Sequence, residues 1–223
     1  MVKIYIVGAG PGSPEYVTPI ARRIVQNACV VVGSERVLEL FKSDIKGEVV
    51  VLTAKNFKQA VGYALECAKK GKNAALISTG DPCFAGLLRT VLKEFGEDLD
   101  LEVIPGISSV QACAARLRIC WDNAALLSFH EGNEENKTVL LEVLKSGKTA
   151  IILPDPKNFT PKDIARFLIS KGVDGEMQTF ICENMTLKEE KVIRCTLKDA
   201  ASLETGSLCV MVIVPKGRAH VEI

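Results

Sequence analysis

Seven short apolar runs punctuate the chain as far as Leu153: Lys3–Val7, Cys29–Val32, Glu48–Leu52, Ala74–Ser78, Leu101–Ile104, Ala125–Phe129 and Thr149–Leu153. Each is of strand length. Between them lie stretches whose apolar residues recur three and four apart, as in Phe57–Lys70, Gly86–Phe95, Ser108–Leu117 and Pro161–Lys171, the period of an amphipathic helix. Near-continuous apolar strands joined through helices predict parallel strands covered on both faces, because a parallel connection needs a long crossover. The fold class is therefore α/β. The pattern changes from Gln178 onward, where Thr179–Cys182, Lys191–Cys195 and Leu208–Val214 follow one another with little helix between. That predicts antiparallel strands and a mixed second sheet. The polar segment RICWDN, within Leu117–Asn123, separates a helix from a new strand and predicts two domains, 1–119 and 120–223. The sequence contains no internal repeat and no low-complexity segment.

Composition narrows the function. With 223 residues, 48% of them hydrophobic, the chain can fill two modest cores. A net charge of +1 supplies no global field toward nucleic acid or an anionic membrane. No apolar run approaches the ~18 residues of a membrane span, and the start, MVKIYIVGAG, reads as a strand rather than a signal peptide. No nucleic-acid or membrane partner is expected, and a cytoplasmic location is. The eight cysteines include no C-x-x-C pair, the nearest neighbours being Cys113 and Cys120. Zinc sites and iron–sulfur clusters use tighter spacing, so these thiols read as small hydrophobes in a reducing compartment and no metal site is expected.

The loop GAGPGSPE, Gly8–Glu15, follows the first strand. A dinucleotide fingerprint would place glycine at position 13 and open a helix at the loop. Here position 13 is serine, Pro14 disfavours a helical Ser13, and Thr18-Pro19 marks the helix start. The loop is expected to stay extended until then, with no helix dipole aimed at a phosphate. Gly10 and Gly12 admit close backbone approach, and Pro11 stiffens the loop between them. STGDP (Ser78–Pro82) and IPGISS (Ile104–Ser109) also follow strands and precede helices. In a parallel sheet all three loops share the carboxyl edge, where ligands bind. Asp81 is expected to accept hydrogen bonds from an amino group or a ribose hydroxyl. Ser108 and Ser109, at a helix start, are read either as caps or as ligand contacts. None of these loops carries Lys or Arg, which favours a neutral or zwitterionic ligand over a polyphosphate.

GPGSPEYVTP, TGDPCFAG, IPGISSVQACAARL and CENMTLKEEKVIRCTL, in that order, resemble the motif series of the tetrapyrrole methylases. The resemblance implies two α/β domains with S-adenosylmethionine, the methyl donor, in the cleft between them. CVVVGSERVLELF and LSFHEG are most similar to the branch that methylates carbon 5 of a corrinoid in cobalamin (vitamin B12) biosynthesis. That branch would place glycine and a basic residue after the histidine, where this chain has His130-Glu131-Gly132. Carried over position by position, the resemblance makes Pro11, Thr79, Gly80, Asp81, Phe84, Ser108 and Ser109 cofactor contacts, with Gly10 and Gly12 beside them. Pro154 and the segment at Ile181–Cys182 would close the other side. It also implies a corrinoid substrate whose carboxylates meet arginines. Arg36 leads at the ligand edge, ahead of Arg22, Arg23, Arg116 and Arg118. Glu15 is set beside Arg36 on the substrate side, although it and Glu183 read more readily as loop-fixing acids. His130 is the candidate catalytic residue; a hydrogen-bonded strand-end histidine is the competing reading, and His220 lies in the tail. A homodimer is expected, with a separate protein serving carbon 15 and decarboxylation. The alternatives are another branch of the superfamily, a diphthine synthase or ribosomal-RNA methylase, and a nucleotide-binding α/β module without chemistry.

Overall fold

A computed structural model describes residues 3–96, 99–130, 132 and 134–215. By internal packing the chain divides into Met1–Ser108 and Ser109–Ile223.

The first unit contains strands β1 (Ile4–Gly8), β2 (Val30–Gly33), β3 (Glu48–Val51), β4 (Ala74–Ser78) and β5 (Leu101–Ile104). They form one sheet in the order β3-β2-β4-β1-β5, and every pairing is parallel. Helices α1 (Pro19–Asn27), α2 (Glu35–Leu40), α3 (Phe57–Lys69) and α4 (Leu87–Phe95) connect them. Successive strand residues point to opposite faces. Val7, Val31 and Ile77 therefore join Ala21, Val25 and Phe41 of the α1–α2 side, whereas Ile6, Val32 and Leu76 join Val61, Ala64 and Val91 of α3 and α4. Burial on both faces explains why β1, β2 and β4 are nearly all apolar, each buried Val, Leu or Ile contributing about 1.5–3 kcal/mol, whereas the edge strand β3 is largely exposed.

The second unit contains β6 (Ala125–Ser128), β7 (Ala150–Leu153), β8 (Gln178–Glu183), β9 (Lys191–Thr196) and β10 (Cys209–Val214), in the order β6-β7-β10-β8-β9. Only β6 and β7 pair in parallel; the other pairings are antiparallel. It follows that β6, β7 and β8 point one way and β9 and β10 the other. The mixed second sheet is as expected. Helices α5 (Ser109–Arg116), α6 (Glu135–Lys145), α7 (Pro161–Ser170) and α8 (Leu197–Ala200) complete the unit. Leu140, Ile152, Ile164, Leu168, Ile181 and Met211 lie in its core.

The division by packing precedes the expected 119/120 junction, because α5 packs on β7 and β10 and buries Val110, Cys113 and Ala114. Helices α2, α6 and α8 lie outside the amphipathic stretches read from the sequence. Among the described residues no helix is long and apolar enough to cross a membrane.

Candidate functional site

Strands β4, β1 and β5 are neighbours, so the loops leaving their carboxyl ends emerge side by side. Three sets of contacts join those loops. The Ala9 amide donates to the Ser78 carbonyl at 2.8 Å, and Gly10 and Gly80 exchange backbone hydrogen bonds, 2.9 Å for the Gly80 amide and 3.4 Å for that of Gly10. The third loop is tied by the Gly106 amide, which donates to Asp81 Oδ2 at 3.0 Å. Asp81 Oδ1 meanwhile accepts from the Cys83 amide at 2.8 Å.

At the centre the three backbones touch. A methyl group on Gly8 would lie 2.5 Å from Gly106 Cα and 2.8 Å from the Gly80 carbonyl oxygen, and one on Gly106 would lie 2.3 Å from that same oxygen. Nothing larger than hydrogen fits there. Gly10 and Gly80 also hold φ of +79° and +64°, the left-handed region that side chains disfavour. These glycines thus serve contact between loops before they serve any ligand.

The first loop differs from its expected extended course. Ser13 is extended, with ψ 139°, but Pro14–Tyr16 form a short 3-10 turn that Ser13 caps by accepting from the Glu15 amide. Chain extension resumes before α1, whose cap Thr18 accepts from the Ala21 amide with proline in the first turn. No long helix starts at the glycines, as expected. Arg22 donates to the Pro14 carbonyl at 2.8 Å and to Asp44 at 2.6 Å, which commits that guanidinium to fixing the loop. Glu15 is exposed and Pro11 buried.

Asp81, expected to accept from a ligand, already accepts one backbone amide at each carboxylate oxygen and keeps a further lone pair on each. Thr79 Oγ1 accepts from Arg36 Nη2 at 3.2 Å, bringing together two residues read separately from the sequence. Desolvation lowers the Arg36 pKa. Phe84 is half-buried, and its neighbour Ala85 has φ of +51°. Ser108 is buried and Ser109 opens α5. The clasp of Gly8, Gly106 and Asp81 escaped sequence reasoning. Its one legible sign is that each of three neighbouring strands ends at or near a glycine.

In the second unit His130 and Pro154 follow the carboxyl ends of β6 and β7, where the Phe129 amide donates to Leu153 at 2.9 Å. Asp155 sits beside His130. Burial raises the Asp155 pKa, but amides of Lys157 and Asn158, the Asn158 side chain and the His130 charge together hold it below the usual carboxylate value. Cys182, expected beside the cofactor, has a fully buried side chain whose thiol meets that of Cys113. Only its backbone is left to face a ligand. Glu183 accepts from the Gly206 amide at 2.5 Å, the loop-fixing role expected. Glu131 and His220 lie outside the described residues.

The profile of the family "Tetrapyrrole (Corrin/Porphyrin) Methylases" matches residues 3–201. The chain is 42% identical to the "Probable cobalt-precorrin-7 C(5)-methyltransferase" of Methanocaldococcus jannaschii, across 94% of this chain and 96% of that protein. It is 29% identical to the cobalt-precorrin-7 C(5)-methyltransferase of Salmonella typhimurium, across 84% and 87%. Among solved structures, cobalamin biosynthesis precorrin-6Y methylase from Archaeoglobus fulgidus superposes with a TM-score of 0.72 at 29% identity, covering 96% of this chain and 97% of that one.

Proposed function

Because the chain belongs to the tetrapyrrole (corrin/porphyrin) methylases, we propose that it methylates carbon 5 of a cobalt-precorrin-7-type corrinoid in cobalamin biosynthesis. Its donor is S-adenosylmethionine. The near full-length likeness to an archaeal relative named for carbon 5 carries the reading.

The loops suit that donor. Those after β1, β4 and β5 hold no lysine or arginine, a lining for a ligand of little net charge rather than a pyrophosphate. Gly10, Pro11, Gly12, Thr79, Gly80, Asp81, Phe84, Ser108 and Ser109 are the residues proposed to hold it, with Pro154 and the backbone at Cys182. When bound, the donor supplies an activated methyl group on a sulfonium. The chain's own task is then to fix two reactants in line, which can supply up to roughly 7–11 kcal/mol of the barrier. Arg36 and Glu15 are set on the substrate side, and His130, beside Asp155, is the candidate to accept the proton released.

In this reading the activity of the described residues is methylation of carbon 5, the position for which the archaeal relative is named. A separate protein then serves carbon 15 and decarboxylation, and the enzyme works as a homodimer in the cytoplasm. Calorimetric titration with S-adenosylhomocysteine, with NAD as control, tests the donor, and mass spectrometry of the product tests the reaction. The expected result is micromolar binding and a product that has gained one methyl group and lost one proton, a net increase of CH2, with every carboxyl retained. Preference for NAD, or loss of carbon dioxide, overturns the reading.

A further inference from the structure

Each sheet leaves two strands at its edges, β3 and β5 in the first unit, β6 and β9 in the second. An open edge offers amides and carbonyls to any strand that meets it, and charged side chains along it discourage pairing. Three of the four edges carry them: Glu48 in β3, Glu102 in β5, Lys191 and Arg194 in β9. Strand β6, Ala-Leu-Leu-Ser, carries none. Exposed Val49 and Val51 lie on β3, but exposed Lys46 and Lys55 flank that strand. Beside β6 the surface is apolar instead. A groove of about 630 Å³ is lined by Cys120, Trp121, Asp122, Ala124 and Leu126, and Trp121 is 39% exposed, although tryptophan is on average a highly buried residue. The backbone is open there too. The Ala125 and Phe129 amides donate to β7, to the carbonyls of Thr149 and Leu153 at 2.8 and 2.9 Å. In a parallel pair alternate residues face the neighbour, so the amide and carbonyl of Leu126 turn to the open edge. At Ser128 the same edge is closed by Asn136, whose Nδ2 donates to the carbonyl at 2.7 Å.

We infer that a second copy of this chain docks on this flank, the two β6 edges pairing antiparallel about a two-fold axis at Leu126. A residue set opposite itself exchanges both backbone bonds with its counterpart, which satisfies the outward amide and carbonyl on each side. Opposed side chains share a face, so the Leu126 pair stands over the grooves and each copy shields the other's Trp121. One outward residue is too short an edge to hold a free peptide, whereas a second copy adds its own groove and its own tryptophan. Exposed Arg118 and Asp122, one charge of each sign in the segment before β6, let the rims of two identical surfaces attract rather than repel. The inference rests on the homodimer proposed above and gives it a surface.

The test uses the full chain, whose single tryptophan makes its emission a report on Trp121. Sedimentation and emission are followed as the protein is diluted. The parent is expected to sediment as a dimer at micromolar concentration, and its emission to shift to longer wavelength as it dissociates. Leu126→Lys and Trp121→Ser, each required to keep the far-ultraviolet circular dichroism of the parent, should dimerise about tenfold more weakly or worse; Trp121→Ser decides if Leu126→Lys does not fold. Val49→Lys, on the other apolar edge, should dimerise as the parent does. A parent dimer whose affinity the folded variants leave unchanged, or one that Val49→Lys alone dissociates, overturns the inference and leaves the homodimer standing. A monomeric parent overturns both, while binding of S-adenosylhomocysteine by that monomer would leave the methyl-transfer reading intact.

Discussion

Replacing Asp81 separates a residue that holds loops from one that holds a ligand. Asp81→Ala removes the acceptor for the amides of Gly106 and Cys83, at 3.0 and 2.8 Å. Hydrogen bonds to a charged group contribute about 1.5–3 kcal/mol each. Cys83 is exposed, so water can replace that acceptor at small cost. The Gly106 amide is half-buried and loses more. The expected destabilisation is about 2 kcal/mol, or roughly 4–8 °C in Tm for a chain of this size. Asp81→Asn keeps one acceptor oxygen but turns an amide donor toward the other N–H group, and should fall about halfway. Scanning calorimetry with and without S-adenosylhomocysteine reads both consequences, since loosening the third loop should weaken binding in the same order as it lowers Tm. Were Asp81→Ala to melt within about 1 °C of the parent while losing the ligand, the carboxylate would act on the ligand and the clasp argument would fail.

Two further substitutions probe the same unit. Gly106→Ala would place a methyl group 2.3 Å from the Gly80 carbonyl oxygen and 2.7 Å from Gly8 Cα, backbone atoms that cannot swing aside. A loss of about 3 kcal/mol, roughly 6–12 °C, is expected, and a variant melting like the parent would refute the three-glycine contact. Tyr63 donates to Glu48 Oε2 at 2.8 Å, and that bond, then Cys67, pushes its pKa up from 10.0 to about 12. The fold thus retains a proton that the unfolded chain gives up at lower pH, so this contribution is intact below pH 10 and is lost as pH rises toward 12. The Tm of the parent should drop more steeply than that of Tyr63→Phe across this window; parallel curves would remove the contribution assigned to the bond.

The strands were legible because both sheets are built from runs such as VVVG and CVMVIV, buried at every position, whose composition leaves few alternatives. Loop placement followed from parallel pairing alone. What the sequence could not reveal was the partner of each polar group. Asp81 in TGDP looks the same whether its carboxylate meets a ligand or the amide of a residue 25 positions later. The polar RICWDN segment was read as a boundary, yet polarity there reports exposure at the end of α5, whereas unit membership is decided by which sheet Val110 and Cys113 pack against. The thiol contact at Cys182 was illegible for a related reason. Its place near the end of β8 was correct, but period-two alternation does not say that the inward face holds another thiol, that of Cys113. The 3-10 turn at Pro14–Tyr16 is held by its own backbone hydrogen bonds, the Ser13 hydroxyl and Arg22, causes too local for any periodicity to register.

The division of charge across the first sheet's edge has a consequence for specificity. The floor formed by Gly8, Gly80 and Gly106 is fixed by backbone contact, so side-chain changes in the loops after β1, β4 and β5 can alter it only by breaking it. The loop after β2 is under no such constraint. Arg36 touches the floor through one hydroxyl, that of Thr79, and can be exchanged without moving a glycine. Under the function proposed above, donor recognition by that floor is rigid, whereas acceptor recognition is free to vary at the flank. A change of substrate should therefore be reachable through Arg36 and its neighbours on α2 with the glycine loops left intact, and substitutions in those loops should cost stability before they change selectivity.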